Sequence, residues 1–193
     1  MTLPSKFDNE HMPLSRQFID ETRQVFFDKY SKQQDVILDI GNQGKNIPGG
    51  QERQIVTLDV TESSSPDVIG DITKHNDSLP SNYYDAVMCT EVLEHVVDPF
   101  AAIRELRRIV KTGGHILITT PLNARIHGPI PDCWRFTEFG LRVLLRDFKV
   151  EYFKRLDTPG RNLFPLHYGV IVSKVSTSLE ESDPRELRFT PVE

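Results

Sequence analysis

The chain is predicted to fold as an α/β domain, an open, doubly wound and mainly parallel sheet with helices on its faces. Three observations predict it. Short β-type apolar runs end at or near carboxylates, at Asp39, Asp59 and Asp71. Strand-like runs alternate with amphipathic stretches of helical period, which implies parallel pairing through crossovers. The chain has 193 residues, enough for one domain with a substantial core and too few for two.

Taken in order, Leu14, Phe18, Val25, Phe26 and Tyr30 recur at near-helical spacing and predict an amphipathic helix from Leu14 to Tyr30 lying against the sheet. The first strand is Asp35 to Ile40, and the run Gln54 to Val60 is the second. The dozen or so residues between them carry Pro48, Gly49 and Gly50 and no amphipathic period, so the usual crossover helix is shortened or missing. A serine-rich loop over Thr61 to Pro66 leads to a short third strand, Asp67 to Ile72, again without room for a helix. The turn-like Leu79 to Asn82 precedes a fourth strand, Tyr83 to Thr90.

Asp98 and Pro99 supply an N-cap and first-turn proline for a helix whose core face is Phe100, Ile103, Leu106, Ile109 and Val110. Thr112-Gly113-Gly114 is expected to end that helix, and His115 to Thr120 to form a fifth strand stopped by Pro121. Asn123 to Arg135 is a long loop, and such loops are usually functional or mobile. Thr137 can cap a helix with Leu141, Leu144, Leu145 and Phe148 on one face. Lys149 to Leu156 and Tyr168 to Val175 are the final strands. Residues 1–175 form one domain in this reading, and 176–193, polar and carrying Pro184 and Pro191, a loosely ordered tail.

Composition narrows the function. With 38% hydrophobic and 26% charged residues the chain has the make-up of a soluble globular protein, and no apolar run approaches the ~20 residues that span a bilayer. Met1 to Asn9 lacks the pattern of a secretory signal, so a cytoplasmic protein is expected. A formal charge of -5 argues against broad nucleic-acid binding. Cys89 and Cys133 are too few for a disulfide framework and lack zinc-site spacing, so reduced thiols are expected and no metal is indicated. The Phe164 to Tyr168 segment and the acidic tail leave room for a homo-oligomeric contact.

In an open parallel sheet the ligand belongs at the carboxyl ends of the strands, where Asp39, Asp59, Asp71 and the residues around Glu91 all fall. Asp59 follows Gly41 at close to the ~20-residue interval at which a carboxylate can accept from ribose hydroxyls. Gly41 and Gly44 alone punctuate the first loop. The three-glycine dinucleotide fingerprint and the Gly-Lys-Ser/Thr of a phosphate loop are both absent, which disfavours a nicotinamide enzyme. In the long loop, His127 can take a proton near neutral pH, Asp132 can orient it or bind a hydroxyl, and Trp134 with Arg135 can stack on or pair with a substrate.

These residues carry a resemblance. Leu38-Asp39-Ile40-Gly41, Thr57-Leu58-Asp59, Gly70-Asp71, the run Asp85 to Pro99 with its Glu91-Val92-Leu93-Glu94-His95, and Leu106 to Pro121 with Lys111-Thr112-Gly113-Gly114 resemble the class I S-adenosylmethionine-dependent methyltransferases, type 11-like, over about Val36 to Val175. The resemblance implies a Rossmann-like sheet of seven strands with shortened early crossovers. It implies that Gly41, Asn42 and Gln43 pass close to the methionyl end of S-adenosylmethionine, supported by Asp39. It also implies that Asp59 holds the ribose, that Asp71 and Ile72 meet the adenine, and that Thr90 and Glu91 close over the cofactor.

The implied activity is methyl transfer to an oxygen or nitrogen of a small-molecule or sugar-like, glycan-type acceptor. The chemistry asks for in-line approach to an activated methyl and, for a hydroxyl, a base, here His95 or His127. Gln43 and Lys45 stand where the family carries further glycines, which motivates the alternative of a catalytically inactive methyltransferase-like binding or regulatory subunit.

Overall fold

The computed structural model describes residues 5–41 and 53–176. Seven strands form one sheet: β1 (Val36–Ile40), β2 (Gln54–Asp59), β3 (Val68–Ile69), β4 (Tyr84–Thr90), β5 (Val110–Pro121), β6 (Lys149–Thr158) and β7 (Arg161–Ser173). Three α-helices accompany them, α1 (Lys6–Lys29), α2 (Pro99–Ile109) and α3 (Glu138–Leu144). The strand order is β3-β2-β1-β4-β5-β7-β6. Pairing is parallel from β3 through β5, and β7 runs antiparallel to both β5 and β6. The direction of winding therefore reverses between β1 and β4, which puts the ligand crevice of such a sheet outside their carboxyl ends.

The central strands are apolar at most positions because both faces are covered. Along β1, Ile37 packs with Phe26 and Phe27 of α1, whereas Leu38 and Ile40 pack on the side of α2 and α3. The same alternation recurs in β4, where Ala86 and Met88 face α1 while Val87 and Cys89 face the other helices. Continuous burial of this kind reads in sequence as an unbroken apolar run, so these strands were legible to within a residue.

Several boundaries differ from the sequence expectation, among them β7, which begins at Arg161 and not at Tyr168. α1 begins eight residues early and runs through Pro13, because Ser5 accepts from the Asp8 amide at 3.2 Å while the Asp8 carboxylate accepts from the Ser5 amide at 2.7 Å. That reciprocal cap fixes a start that apolar spacing cannot show. β3 is two residues long, since Asp71 folds back to accept from the Thr73 amide and hydroxyl instead of continuing the strand. α2 ends at Ile109, and Val110 already pairs with Tyr84 in β5. The Gly113-Gly114 pair is not a helix stop but a bulge within β5, where a side chain at Gly114 would stand 2.7 Å from the Asp85 carbonyl oxygen. Phe100 is exposed, not on the α2 core face, which is made of Ala102, Ile103, Glu105, Leu106 and Ile109.

The Phe164 to Tyr168 segment, read as a contact surface, is the first half of β7, and Leu166, His167 and Tyr168 are buried within the chain. The connection from β2 to β3 holds only a short 3-10 turn, Glu62–Ser64. The β1 to β2 crossover and the C-terminal tail lie largely outside the described residues.

The carboxylate of Glu105, on the inner face of α2, accepts from the Arg108 guanidinium at 2.7 and 2.6 Å and from the Asn76 amide at 2.9 Å. Arg108 in turn donates to the Leu79 carbonyl at 2.8 Å. Breaking such a pair leaves a charge without its partner in a half-buried place. Glu105→Ala is expected to lower unfolding stability by about 3 kcal/mol in urea melts monitored by circular dichroism, and a change below about 1 kcal/mol would contradict this account of the 71–83 segment.

Candidate functional site

Gly41 leaves β1 with φ of 72°, and its amide donates to the Leu58 carbonyl at 2.9 Å. A Cβ there would stand 2.9 Å from Cγ2 of Val92. Glycine is needed for both the left-handed backbone and the close pass of the β4 turn. Asp39 is buried one strand position before that corner. Asn42 and Gln43, and Lys45 with them, lie outside the described residues.

Asp59 ends β2. Its Oδ1 accepts from the Thr61 amide at 2.9 Å and hydroxyl at 3.2 Å, and among the described residues Oδ2 makes no hydrogen bond. Asp59, Thr61, Ser63 and Ser64 line a small cleft of about 200 Å³. Asp71 is differently placed: burial pushes its carboxyl up, but the two Thr73 hydrogen bonds and Lys74 at 3.4 Å outweigh it and hold the group below the ordinary range. Oδ1 of the carboxylate expected to meet adenine accepts both Thr73 bonds, and Oδ2 faces Lys74. Ile72 beside it is buried in the core.

At the end of β4, Thr90 Oγ1 accepts from the Arg23 guanidinium of α1 at 2.9 Å. Glu91 follows with φ of 56°, a conformation costly for a residue with a side chain. It is held by the Thr119 hydroxyl at 2.9 Å, His167 Nε2 at 3.0 Å and a bond from its amide to the Thr119 carbonyl at 3.0 Å. Arg23, Thr119 and His167 had no signal in local sequence; each arrives from a distant element.

The following turn buries Glu94 completely, and among the described residues neither carboxylate oxygen has a hydrogen-bond partner. Burial, aided by the nearby Glu91 charge, pushes its carboxyl up to about 9. Nε2 of His95 and Nε2 of His127 each lie 3.9 Å from Glu94 Oε1, and the two rings meet edge to face at 4.9 Å. His95 Nδ1 faces the Pro131 carbonyl at 3.1 Å, and His127 Nδ1 faces the Arg125 carbonyl at 3.2 Å and Asp132 Oδ2 at 3.3 Å. An Nδ1 confronted by oxygen acceptors donates to them, and in the neutral ring this places the lone pair on Nε2.

The sequence-predicted loop residues take supporting places. Asp132 accepts from the His127 amide at 2.9 Å and from both arms of Arg135, at 2.5 and 2.7 Å. Its side chain is fully enclosed, and the Arg135 hydrogen bonds hold its carboxyl down to about 2. Asp132 therefore orients His127 and has no room for a substrate hydroxyl. Arg135, which also donates to the Arg125 carbonyl at 3.0 Å, is occupied and not offered to a ligand. Trp134 donates to the Val96 carbonyl at 2.8 Å, stacks on Phe136 at 6.0 Å and remains 40% exposed; Val97 and Ile130 are exposed as well.

A family model described as methyltransferase domain matches residues 9–162, most of the chain. The chain belongs to this methyltransferase family. Among curated relatives, the ubiquinone biosynthesis O-methyltransferase of Pectobacterium atrosepticum is 33% identical over 73 residues, 37% of this chain and 30% of that protein. Its counterpart from Alkalilimnicola ehrlichii is 41% identical over 63 residues, 33% of this chain and 23% of that one. The matched stretch thus spans less than a third of these relatives.

Solved structures of similar fold include a SAM-dependent methyltransferase from Archaeoglobus fulgidus, with a TM-score of 0.60, 19% identity, and coverage of 88% of this chain and 100% of that one. Another, from Methanosarcina mazei, gives 0.60 at 19% identity with 78% and 97% covered. A third is the geranyl diphosphate C-methyltransferase of Streptomyces coelicolor, solved with Mg2+, geranyl diphosphate and S-adenosyl-L-homocysteine, with 0.63 at 10% identity and 83% and 77% covered. At such identities these likenesses speak for the methyltransferase Rossmann-like sheet alone. No helix among the described residues is long and apolar enough to cross a membrane.

Two outcomes follow from the site geometry. Gly41→Ala is expected to cost about 1–3 kcal/mol of stability, read as a lowered melting temperature, because strain and the Val92 contact act together. Asp132 has a folded-state pKa below its ordinary 3.8, so its stabilising contribution is present above about pH 4 and is lost as pH falls toward 2. Urea melts should accordingly show Asp132→Asn less stable than wild type at neutral pH, with the gap closing below pH 4; a gap that does not depend on pH would refute the ionised pair.

Proposed function

We propose that this chain transfers the methyl group of S-adenosylmethionine to a hydroxyl oxygen of a small, partly apolar acceptor. The observation that carries the reading is the pair of imidazoles, His95 and His127, whose Nδ1 atoms face carbonyl oxygens and whose Nε2 atoms gather 3.9 Å from Glu94 Oε1 just beyond the carboxyl end of β4. An oxygen nucleophile must lose a proton as it attacks, and a positioned imidazole is the commonest group to take it.

The cofactor side rests on the switch between β1 and β4. Gly41 provides a backbone corner that a side chain would fill, and Asp59 presents an unengaged carboxylate oxygen beside a polar cleft, which suits a ribose diol. Thr90 and Glu91, pinned by Arg23, Thr119 and His167, wall the crevice from the β4 side. Asp39 supports the corner from below. Near the adenine, Asp71 Oδ2 and the backbone at Ile72 take the role, Asp71 Oδ1 being held by Thr73. S-adenosylmethionine, when bound, supplies a methyl group already activated on a sulfonium, so the protein has to position the acceptor and hold its proton.

Oxygen is favoured over nitrogen by the relatives named ubiquinone biosynthesis O-methyltransferases and by the demand for a base. Exposed Trp134, Val97 and Ile130, on the same turn and loop as the imidazoles, suit an apolar or aromatic ring better than a polar sugar. Calorimetry should show S-adenosylmethionine binding, and catechol should accept labelled methyl. His127→Ala should lower kcat by about 10²–10⁴-fold while leaving cofactor affinity unchanged. Absence of any heat with S-adenosylmethionine or its demethylated product at millimolar levels would end this reading.

A further inference from the structure

We propose that Glu94, His95 and His127 form a divalent-metal site, with a carboxylate oxygen of Glu94 and Nε2 of each histidine as the ligands. The ligand atoms of the three residues all lie within 4.8 Å of one another. Bonds of about 2.1 Å would separate them by roughly 3 Å, so closing on an ion asks for an inward movement on the order of 1 Å.

Three features separate this cluster from an ordinary polar group. Glu94 is wholly buried, and both of its oxygens lack a donor. A carboxylate in that position is expensive unless a cation or proton donor meets it, and the two nearest polar neighbours turn lone pairs toward it instead. At 3.9 Å, each Nε2 is also too distant for a hydrogen bond with it. Among the described residues, three groups with ligating atoms therefore converge without a hydrogen bond joining them, which is the arrangement a cation completes.

The second feature is the outer layer. Metal-bound histidines donate their other ring N–H to a carbonyl or carboxylate, which fixes the tautomer. Both histidines do so here, His95 to the Pro131 carbonyl and His127 to the Arg125 carbonyl and Asp132. Asp132 is itself clamped by Arg135, and the Cys133 and Trp134 amides both donate to the Glu94 carbonyl at 2.6 and 3.1 Å. The third is the ligand count: three protein ligands leave positions open, as in reactive rather than structural sites. One carboxylate with two imidazoles is a set for a first-row divalent ion such as Mn2+, Fe2+ or Zn2+, and it is poor in the oxygens that Ca2+ takes.

With an ion bound, both Nε2 atoms are ligands and no longer free as bases, so activation of an acceptor hydroxyl passes to the open positions of the ion, which lower its pKa; that consequence rests on the O-methyl transfer reading, and the metal site itself does not. The test uses the full chain stripped with chelator and titrated with MnCl2, free Mn2+ being followed by electron paramagnetic resonance. One Mn2+ per chain is expected, displaced by ZnCl2. Glu94→Gln and His127→Asn should each weaken binding by about tenfold or more while retaining cooperative melting. Wild-type protein that binds no Mn2+ or Zn2+ at millimolar concentration, or folded variants that bind as wild type does, would overturn the proposal. Calorimetry with S-adenosylmethionine is scored separately, so the cofactor reading and the metal site can fail independently.

Discussion

The main-chain carbonyl of Glu94 joins the two halves of the candidate site. It receives the amides of Cys133 and Trp134, so the turn after β4 and the long loop after β5 are fixed to each other at one atom. Around that junction the imidazoles of His95 and His127 meet, one from each side. The turn in turn depends on Glu91, whose left-handed backbone is tolerated because Thr119 and His167 hold its side chain from β5 and β7. Strain at a residue so firmly over-determined is the pattern of a place where position matters more than local stability.

Much of the sheet was legible because its strands are buried on both faces. An unbroken run such as Ile37-Leu38 or Val87-Met88-Cys89 announces itself without knowledge of its partners. Boundaries that depend on a particular contact were not legible. The Ser5–Asp8 cap placed the start of α1, and pairing of Val110 with Tyr84 ended α2 before its glycines. In both cases a specific bond outweighed spacing and propensity.

The site shows the same division. Strand-end carboxylates and the loop histidine could be nominated from type and position, and the structure brings His95 and His127 together across an interval no local pattern encodes. Glu94 was visible only as part of a motif, because nothing in a sequence tells a buried carboxyl from an exposed one. Asp132, read as a residue that orients His127 or binds a hydroxyl, lies beside His127 and is paired with Arg135. Their residue types suit substrate binding, yet three residues apart on a tight loop they satisfy each other.

That mutual satisfaction has a chemical consequence for His127. Arg135 keeps Asp132 ionised, the ionised carboxylate and the Arg125 carbonyl keep the proton on Nδ1, and Nε2 is thereby left as a lone pair on the side of Glu94. The relay runs through three side chains, but only its last atom faces the crevice. A residue can thus govern the chemistry of a site while touching nothing that reacts, and the charge of Arg135 acts here by selecting a tautomer. The Pro131 carbonyl makes the same selection for His95 without any charge. Two independent devices that impose one outcome on adjacent rings imply that the outcome, paired Nε2 lone pairs beside a buried carboxyl, is what the loop is built to deliver.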